Sequence, residues 1–244
     1  MRLRHLLLIA VLGALIVVPD ATAALDISIS LGNDGSLAGR SVQLIVLITM
    51  LSIVPGLAIM LTCFPFIVTV LAILRQAIGL QQSPPNMLIV SLALFLTYFV
   101  MEPTFTDAWQ SGVTPLIENS ITPEEAFPRI LQPFKGFMAA RTDPDTFASL
   151  QSLRPADADA TVATAPLSLL VPSFLLSEIT RAFKIGFLIY LPFLIIDLVV
   201  AAILMSMGMM MVPPAVVAMP FKLAFFVVAD GWTLISEALV RSYF

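Results

Sequence analysis

The sequence predicts an all-α membrane protein: two long helical hairpins, four hydrophobic segments in all, with a polar helical insert between them. Three observations predict this. Of the 244 residues, 59% are hydrophobic and only 11% are charged, with a mean hydropathy of +1.01; an ordinary soluble domain is about a quarter charged. Apolar runs long enough to cross a bilayer recur along the chain. A single long polar stretch, residues 104–172, separates two groups of such runs.

The same composition excludes several functions. The net charge of −4 gives no basic footprint for nucleic acid. Cys63 is the sole cysteine, so no intrachain disulfide forms. His5 is the sole histidine and lies in a segment expected to be removed. The mature chain then has no imidazole for Ser-His or Cys-His catalysis or for a histidine metal site. The expectation is a protein that is not an enzyme and carries no cofactor or metal.

Residues 1–23 read as a cleaved signal peptide. Arg2 and Arg4 form a positive start, residues 6–18 an apolar core, and Pro19 ends it. Ala21-Thr22-Ala23 then fits a small-residue cleavage site, placing the cut after Ala23. Residues 24–41 are polar and glycine-rich, an exposed lead-in.

Residues 42–102 form the first expected hairpin. Its first run, 42–61, is interrupted by Pro55-Gly56 and resumes over 64–74, past Pro65. Proline frees a helical carbonyl that a neighbour must satisfy, so the interruptions predict packing inside protein rather than in plain lipid. Gly79 and the tandem Pro84-Pro85 stop one helix and start the next. Residues 87–101 are the second run, short for a span, which Glu102-Pro103 is expected to end.

Residues 103–172 form the insert. Its acidic residues outnumber its basic ones, weak support for a location outside the cytoplasm. Thr122-Pro123-Glu124-Glu125 reads as a helix start: a cap, proline in the first turn and early acids. An amphipathic helix is expected over 127–140 despite Pro128 and Pro133. Residues 154–165 read as a mobile loop, in which Asp157 and Asp159 lack the clustered partners of a metal site.

Residues 173–244 form the second hairpin, with apolar runs over 185–207 and 212–229. Asp197 and Lys222 lie within them, and a charge at mid-membrane costs about 2.5–3.5 kcal/mol on insertion scales. With the turn centred near Met211, Asp197 lies about 21 Å and Lys222 about 16 Å away, at about 1.5 Å per residue. An ion pair is allowed, within one hairpin or between subunits. It either fixes hairpin register or faces a hydrated passage. Between the runs, Met205, Met207, Met209, Met210 and Met211 flank Gly208 and precede Pro213-Pro214. Methionine is unbranched and polarizable and adapts to irregular partners, so the run is either a membrane turn without a gating role or, in several copies, a ring that can seal around a moving chain.

Two long motifs resemble one family. LRQAIGLQQSPPNMLIVSLALFLTYFVM, residues 74–101, resembles the first signature of the FliP/SctR family of bacterial export-gate proteins. FLIYLPFLIIDLVVAAILMSMGMMMVPPAVVAMPFKLAFFVVADGW, residues 187–232, resembles its second, and QPFKGFM at 132–138 a shorter element. The chain departs from the family's S-F-T-R-I with Cys63-Phe64-Pro65-Phe66-Ile67, which lacks the basic residue.

The resemblance implies a core channel subunit of the flagellar type III export apparatus. It implies a helical oligomeric channel, a pentamer with FliQ-like and FliR-like small membrane subunits, in the bacterial inner membrane within the flagellar basal body. The insert would be periplasmic, and unfolded flagellar subunits would pass through. It also makes the five methionines a gate. The injectisome homologue is the alternative, favoured less by the size of the insert and the signal peptide. A transporter relaying ions through Asp197, Lys222 and Asp230 is a further alternative, weakened by the lack of an internal repeat. A protease pairing Asp197 with Asp230 is disfavoured, because the two lie at very different distances from the turn.

Overall fold

The computed structural model describes residues 37–79, 84–209 and 211–244. The expected signal peptide, its cleavage at Ala23 and most of the lead-in lie outside the described residues. The chain divides into two units, Met1–Met50 and Leu51–Phe244; the packing that follows is that of the second. All regular structure among the described residues is helical.

Helix α1, Leu37–Met60, crosses the boundary between the units and runs through Pro55-Gly56 without a break. The break comes instead at residues 61–63, and α2, Phe64–Ile78, starts there with Pro65 in its first turn. Proline fits this position because its missing N–H has no helical partner there. Gly79 ends α2 in the left-handed region (φ +88°), its N–H donating to the Gln76 carbonyl. Phe66, Ile67, Val70, Leu71, Leu74 and Ala77 of α2 are fully buried. That burial fits the expectation of packing within protein for the resumed run 64–74, whereas in the first run Ile53, Ile59 and Met60 of α1 are exposed.

Helix α3, Asn86–Ala108, starts after Pro84-Pro85 as the sequence predicts, but Glu102-Pro103 does not end it. The helix continues because residues beyond the proline are held: Phe105 meets Phe134 edge-on at 5.8 Å, and Ala108 is buried. A π-helical turn, Trp109–Val113, then leads into the short α4, Thr114–Ile117. Gly112 lies against the next helix, where an added Cβ would sit 2.4 Å from Ile130 Cγ1.

Helix α5, Pro123–Arg141, opens on a full capping box. Thr122 Oγ1 accepts from the Glu125 N–H, and the Glu125 carboxylate accepts from the Thr122 N–H. Pro133 leaves the Arg129 carbonyl without its helical donor; Ser111 Oγ lies 3.3 Å from it. Helix α6, Pro144–Gln151, is capped by Asp143.

Residues 154–165, expected as a mobile loop, are tied in place. The Gln151 amide reaches the carbonyls of Asp157, Ala158 and Ala160, and Arg154 pairs with Asp157 at 3.0 Å. Ala165, at the end of the stretch, is fully buried.

Helix α7, Leu167–Ser206, is one element of 40 residues, so the expected boundary near residue 173 falls inside it. At about 1.5 Å per residue it is about 60 Å long, roughly twice a bilayer's hydrocarbon core. Its first half buries Leu169, Leu170 and Phe174 against Met138 and Phe147 of α5 and α6. Farther along, Gly186 lets α2 approach closely, and an added Cβ there would meet Ile73 Cδ1 at 2.4 Å. Helix α8, Pro214–Val228, returns along α7, with Phe193 edge-on to Phe225 at 5.8 Å. Asp230, at φ +46°, turns the chain by 61° into α9, Gly231–Arg241. Two described stretches, Asn86–Ile117 and Leu167–Ser206, are long and apolar enough to cross a membrane, and the bent α8–α9 pair is a third if taken as one span.

Candidate functional site

The methionine loop begins where α7 ends. The Gly208 N–H donates to the Met205 carbonyl (3.1 Å) and the Met209 N–H to the Leu204 carbonyl (2.9 Å), with Gly208 at φ +76°. This is the Schellman arrangement, and it uses glycine because a Cβ is strained at that φ. Leu204 is buried, so the helix end is anchored, while the methionine side chains are not covered. Met205 is 61% exposed, Met207 66%, Met209 38% and Met211 98%. Met210 lies outside the described residues. Pro214 then starts α8 at the position that tolerates proline best.

Asp197 of α7 and Lys222 of α8 are brought together inside the single chain: Lys222 Nζ lies 2.6 Å from Asp197 Oδ2. The lysine side chain is 7% exposed and the aspartate 30%. Lys222 Nζ also donates to the Ala77 carbonyl at 3.1 Å. Ala77 is in the last turn of α2, where carbonyls lack helical donors and the helix dipole favours a cation. One ammonium therefore ties three helices together. Beside it a groove of about 840 Å³ is lined by Thr69, Arg75, Gln76, Tyr190, Asp197 and Lys222 among others. Asp230 belongs to neither feature; it is exposed and accepts from Thr233 Oγ1 at 3.2 Å.

Sequence reasoning missed a second polar centre. Glu178, in the first half of α7, is fully buried. Its Oε1 accepts from Arg141 Nε (3.3 Å) and Arg181 Nη1 (3.0 Å), and its Oε2 accepts from the Tyr243 hydroxyl. Arg141 lies 4.0 Å over the Tyr243 ring and donates from Nη1 to the Ser242 carbonyl at 2.7 Å. Phe66 and Phe137 pack on the same ring at 5.6 and 6.0 Å. Burial, then the adjacent Glu178 carboxylate, pushes the Tyr243 phenol well above its ordinary value, so it stays a donor. The available signal was a lone glutamate in an apolar stretch with an arginine three residues on.

Neither centre has the geometry of a reacting nucleophile and base. Among the described residues no group of three or more His, Cys, Asp or Glu side chains is placed to hold a metal ion. What the arrangement supplies mechanically is an α7–α8 hairpin fixed by an ion pair with a buried lysine and a half-buried aspartate, and an adaptable apolar tip.

Comparison with known proteins gives a consistent family. The model described as FliP family matches residues 47–239. The flagellar biosynthetic protein FliP of Caulobacter vibrioides is 48% identical over 99% of this chain and 92% of its own length. Those of Bacillus subtilis and Aquifex aeolicus are 42% and 45% identical, over 89% and 83% of this chain and 98% and 86% of their own lengths.

Proposed function

We propose a function from one premise: this chain belongs to the FliP family. It is a component of the flagellar protein-export apparatus, needed for flagellum assembly. The observation that carries this is the 48% identity with a flagellar biosynthetic protein over 99% of the chain.

Within that apparatus the chain is a core channel subunit in the bacterial inner membrane, at the base of the flagellum. Several copies, a pentamer by the resemblance, assemble with FliQ-like and FliR-like subunits around a passage for unfolded flagellar proteins. The exposed apolar faces of α3 and α7, including Phe95, Phe99, Phe187 and Leu198, support burial against other subunits or lipid. The insert, residues 103–172, is the periplasmic part; that only about half of α7 fits a hydrocarbon layer is compatible with the start of that helix lying outside the layer. The leader at residues 1–23, cut after Ala23, delivers the chain to that membrane.

Met205, Met207, Met209, Met210 and Met211 form the lip of a seal that closes only when copies meet. The exposure of the four described methionines, on a helix end anchored by Gly208 and Leu204, supports this role. The Asp197–Lys222 pair fixes the hairpin that carries them.

Deleting the gene is expected to abolish flagella and export of hook and filament subunits, and the intact gene to restore both. Retained export would overturn the reading. The native mass of the detergent-extracted complex, co-expressed with both small subunits, reports the copy number. Replacing Met207, Met209 and Met211 with alanine is expected to leave that mass unchanged and to raise ion conductance in liposomes. Unchanged conductance removes the seal but not the export role.

A further inference from the structure

Only Ala229 and Asp230 separate α8 from α9. Ala229, at φ −80° and ψ 2°, stays close to helical, so the 61° bend rests on Asp230, at φ +46° and ψ +49°. The Asp230 N–H donates to the Val227 carbonyl at 3.1 Å, the bond with which a helix ends on a left-handed residue. Glycine or asparagine is the usual occupant of that place, because a Cβ is strained there. A right-handed φ at this one residue would carry α8 straight on into α9. Such a strained residue persists only where its surroundings over-determine it.

Two sets of contacts, all within one chain, do so. At the near end Gly231 is buried, and an added Cβ would fall within 2.7 Å of three ring atoms of Phe226. Phe226 in turn meets Trp232 edge-on at 5.4 Å. At the far end the Tyr243 hydroxyl donates to Glu178, Arg141 donates to the Ser242 carbonyl, and Phe66 and Phe137 pack on the tyrosine ring. Between the two, Trp232, Ile235, Leu239 and Val240 pack into the core of α2 and α3.

We propose that α9 is a strap, hinged at Asp230 and latched on Glu178, that closes over the α2–α3 core only once the insert has folded. The latch is built by three other elements: Phe66 from α2, Phe137 and Arg141 from α5, and Glu178 and Arg181 from α7. None of these belongs to the hairpin arm that carries the strap. Tyr243 therefore has a site only when α5 of the insert lies against α7. Until then the strain at Asp230 favours the open, right-handed form. Opening is a local event that leaves the rest of the fold in place.

The test uses the full-length chain in detergent. Trypsin cuts after Arg241, beside the Ser242 carbonyl that Arg141 holds, and intact mass reads the loss of residues 242–244. Asp230→Val, whose β-branched side chain excludes the left-handed region but fits a helix, is expected to lose them several-fold faster than the unaltered chain. So is Gly231→Ala. Asp230→Gly, which relieves the strain of the bend, is expected to lose them several-fold more slowly. Arg141→Met, a change in the insert, is expected to speed the loss as the hinge variants do. Amide exchange over residues 169–174, which pack on Met138 and Phe147, stays as slow as in the unaltered chain and separates an open strap from an unfolded protein. Unchanged release from both hinge variants, or faster release only with lost protection at 169–174, overturns the hinge. No slowing by Asp230→Gly overturns it even if the other variants fail to fold. Unchanged release from Arg141→Met overturns the link to the insert.

Discussion

The hydroxyl of Tyr243, next to the last residue of the chain, donates to the fully buried carboxylate of Glu178, 65 positions earlier. The same carboxylate holds Arg141 of α5 and Arg181 of α7. Residues 242 and 243 are thereby fastened to the first half of α7 and the end of α5. Removing one partner of a buried charge cluster costs about 3–5 kcal/mol, because the remaining charges lose their counterpart. Glu178→Ala is expected to destabilise by that order, and Tyr243→Phe by about 1.5–3 kcal/mol, the range for a hydrogen bond to a charged group. Thermal unfolding of the detergent complex measures both. Equal small losses would show that the cluster is solvated and not a fastening.

Lys222 joins two unlike acceptors, the Asp197 carboxylate and the Ala77 carbonyl. This makes the pair asymmetric. Exchanging the charges, Asp197→Lys with Lys222→Asp, restores opposite signs but leaves a carboxylate facing the Ala77 carbonyl. The exchanged variant is therefore expected to remain destabilised. Lys222→Met alone is expected to cost about 3–5 kcal/mol, and the apolar double replacement Asp197→Leu with Lys222→Met less than that. Thermal midpoints of the four proteins decide it. Full recovery by the exchange would show that α2 is not part of the tie.

Asp143 caps α6, its carboxylate accepting from the Thr146 N–H at 3.0 Å and the Thr146 hydroxyl at 2.9 Å. The backbone hydrogen bond first, then the hydroxyl, lowers its pKa below the ordinary value. A lowered folded pKa means that the unfolded chain takes up the proton first. The cap's contribution is full above the unfolded value of about 3.9 and is lost as pH falls through the folded one. Asp143→Asn keeps a capping acceptor but cannot titrate. Its stability is expected to lose this acid-limb component below about pH 4, read by melting temperature against pH. Parallel acid limbs for both proteins would contradict the assignment.

Local chemistry was the legible part of this fold. The cap at Thr122, the stop at Gly79, the start after Pro84-Pro85 and the turn within 205–214 are written in residues next to the feature they make. The pairing of Asp197 with Lys222 was open to arithmetic because both sit on one hairpin. The helix through Pro103 was not legible, since its continuation depends on Phe105 meeting Phe134 across the insert. Nor was the length of α7, whose first half is held by Met138 and Phe147. The Glu178 cluster draws its partners from 37 positions upstream and 65 downstream, a distance no local pattern carries.

Gly186 shows the same long-range dependence and gives the sharpest packing test. It faces α2, and an added Cβ would lie 2.4 Å from Ile73 Cδ1, 3.1 Å from Cγ2 and 3.3 Å from Cβ. Alanine in place of glycine favours a helix interior by about 1 kcal/mol, while overpacking costs typically about 1–3 kcal/mol. Gly186→Ala is therefore expected to be destabilising by up to about 2 kcal/mol. Ile73→Val removes the closest atom at a cost of about 0.5–1.5 kcal/mol. Because the valine leaves the other two contacts in place, the double variant recovers part of the loss. Its destabilisation is expected to fall below the sum of the two singles, read as a coupling in a double-mutant cycle of thermal unfolding. Strict additivity would mean that Ile73 already swings aside and that the approach of α2 to α7 does not require glycine.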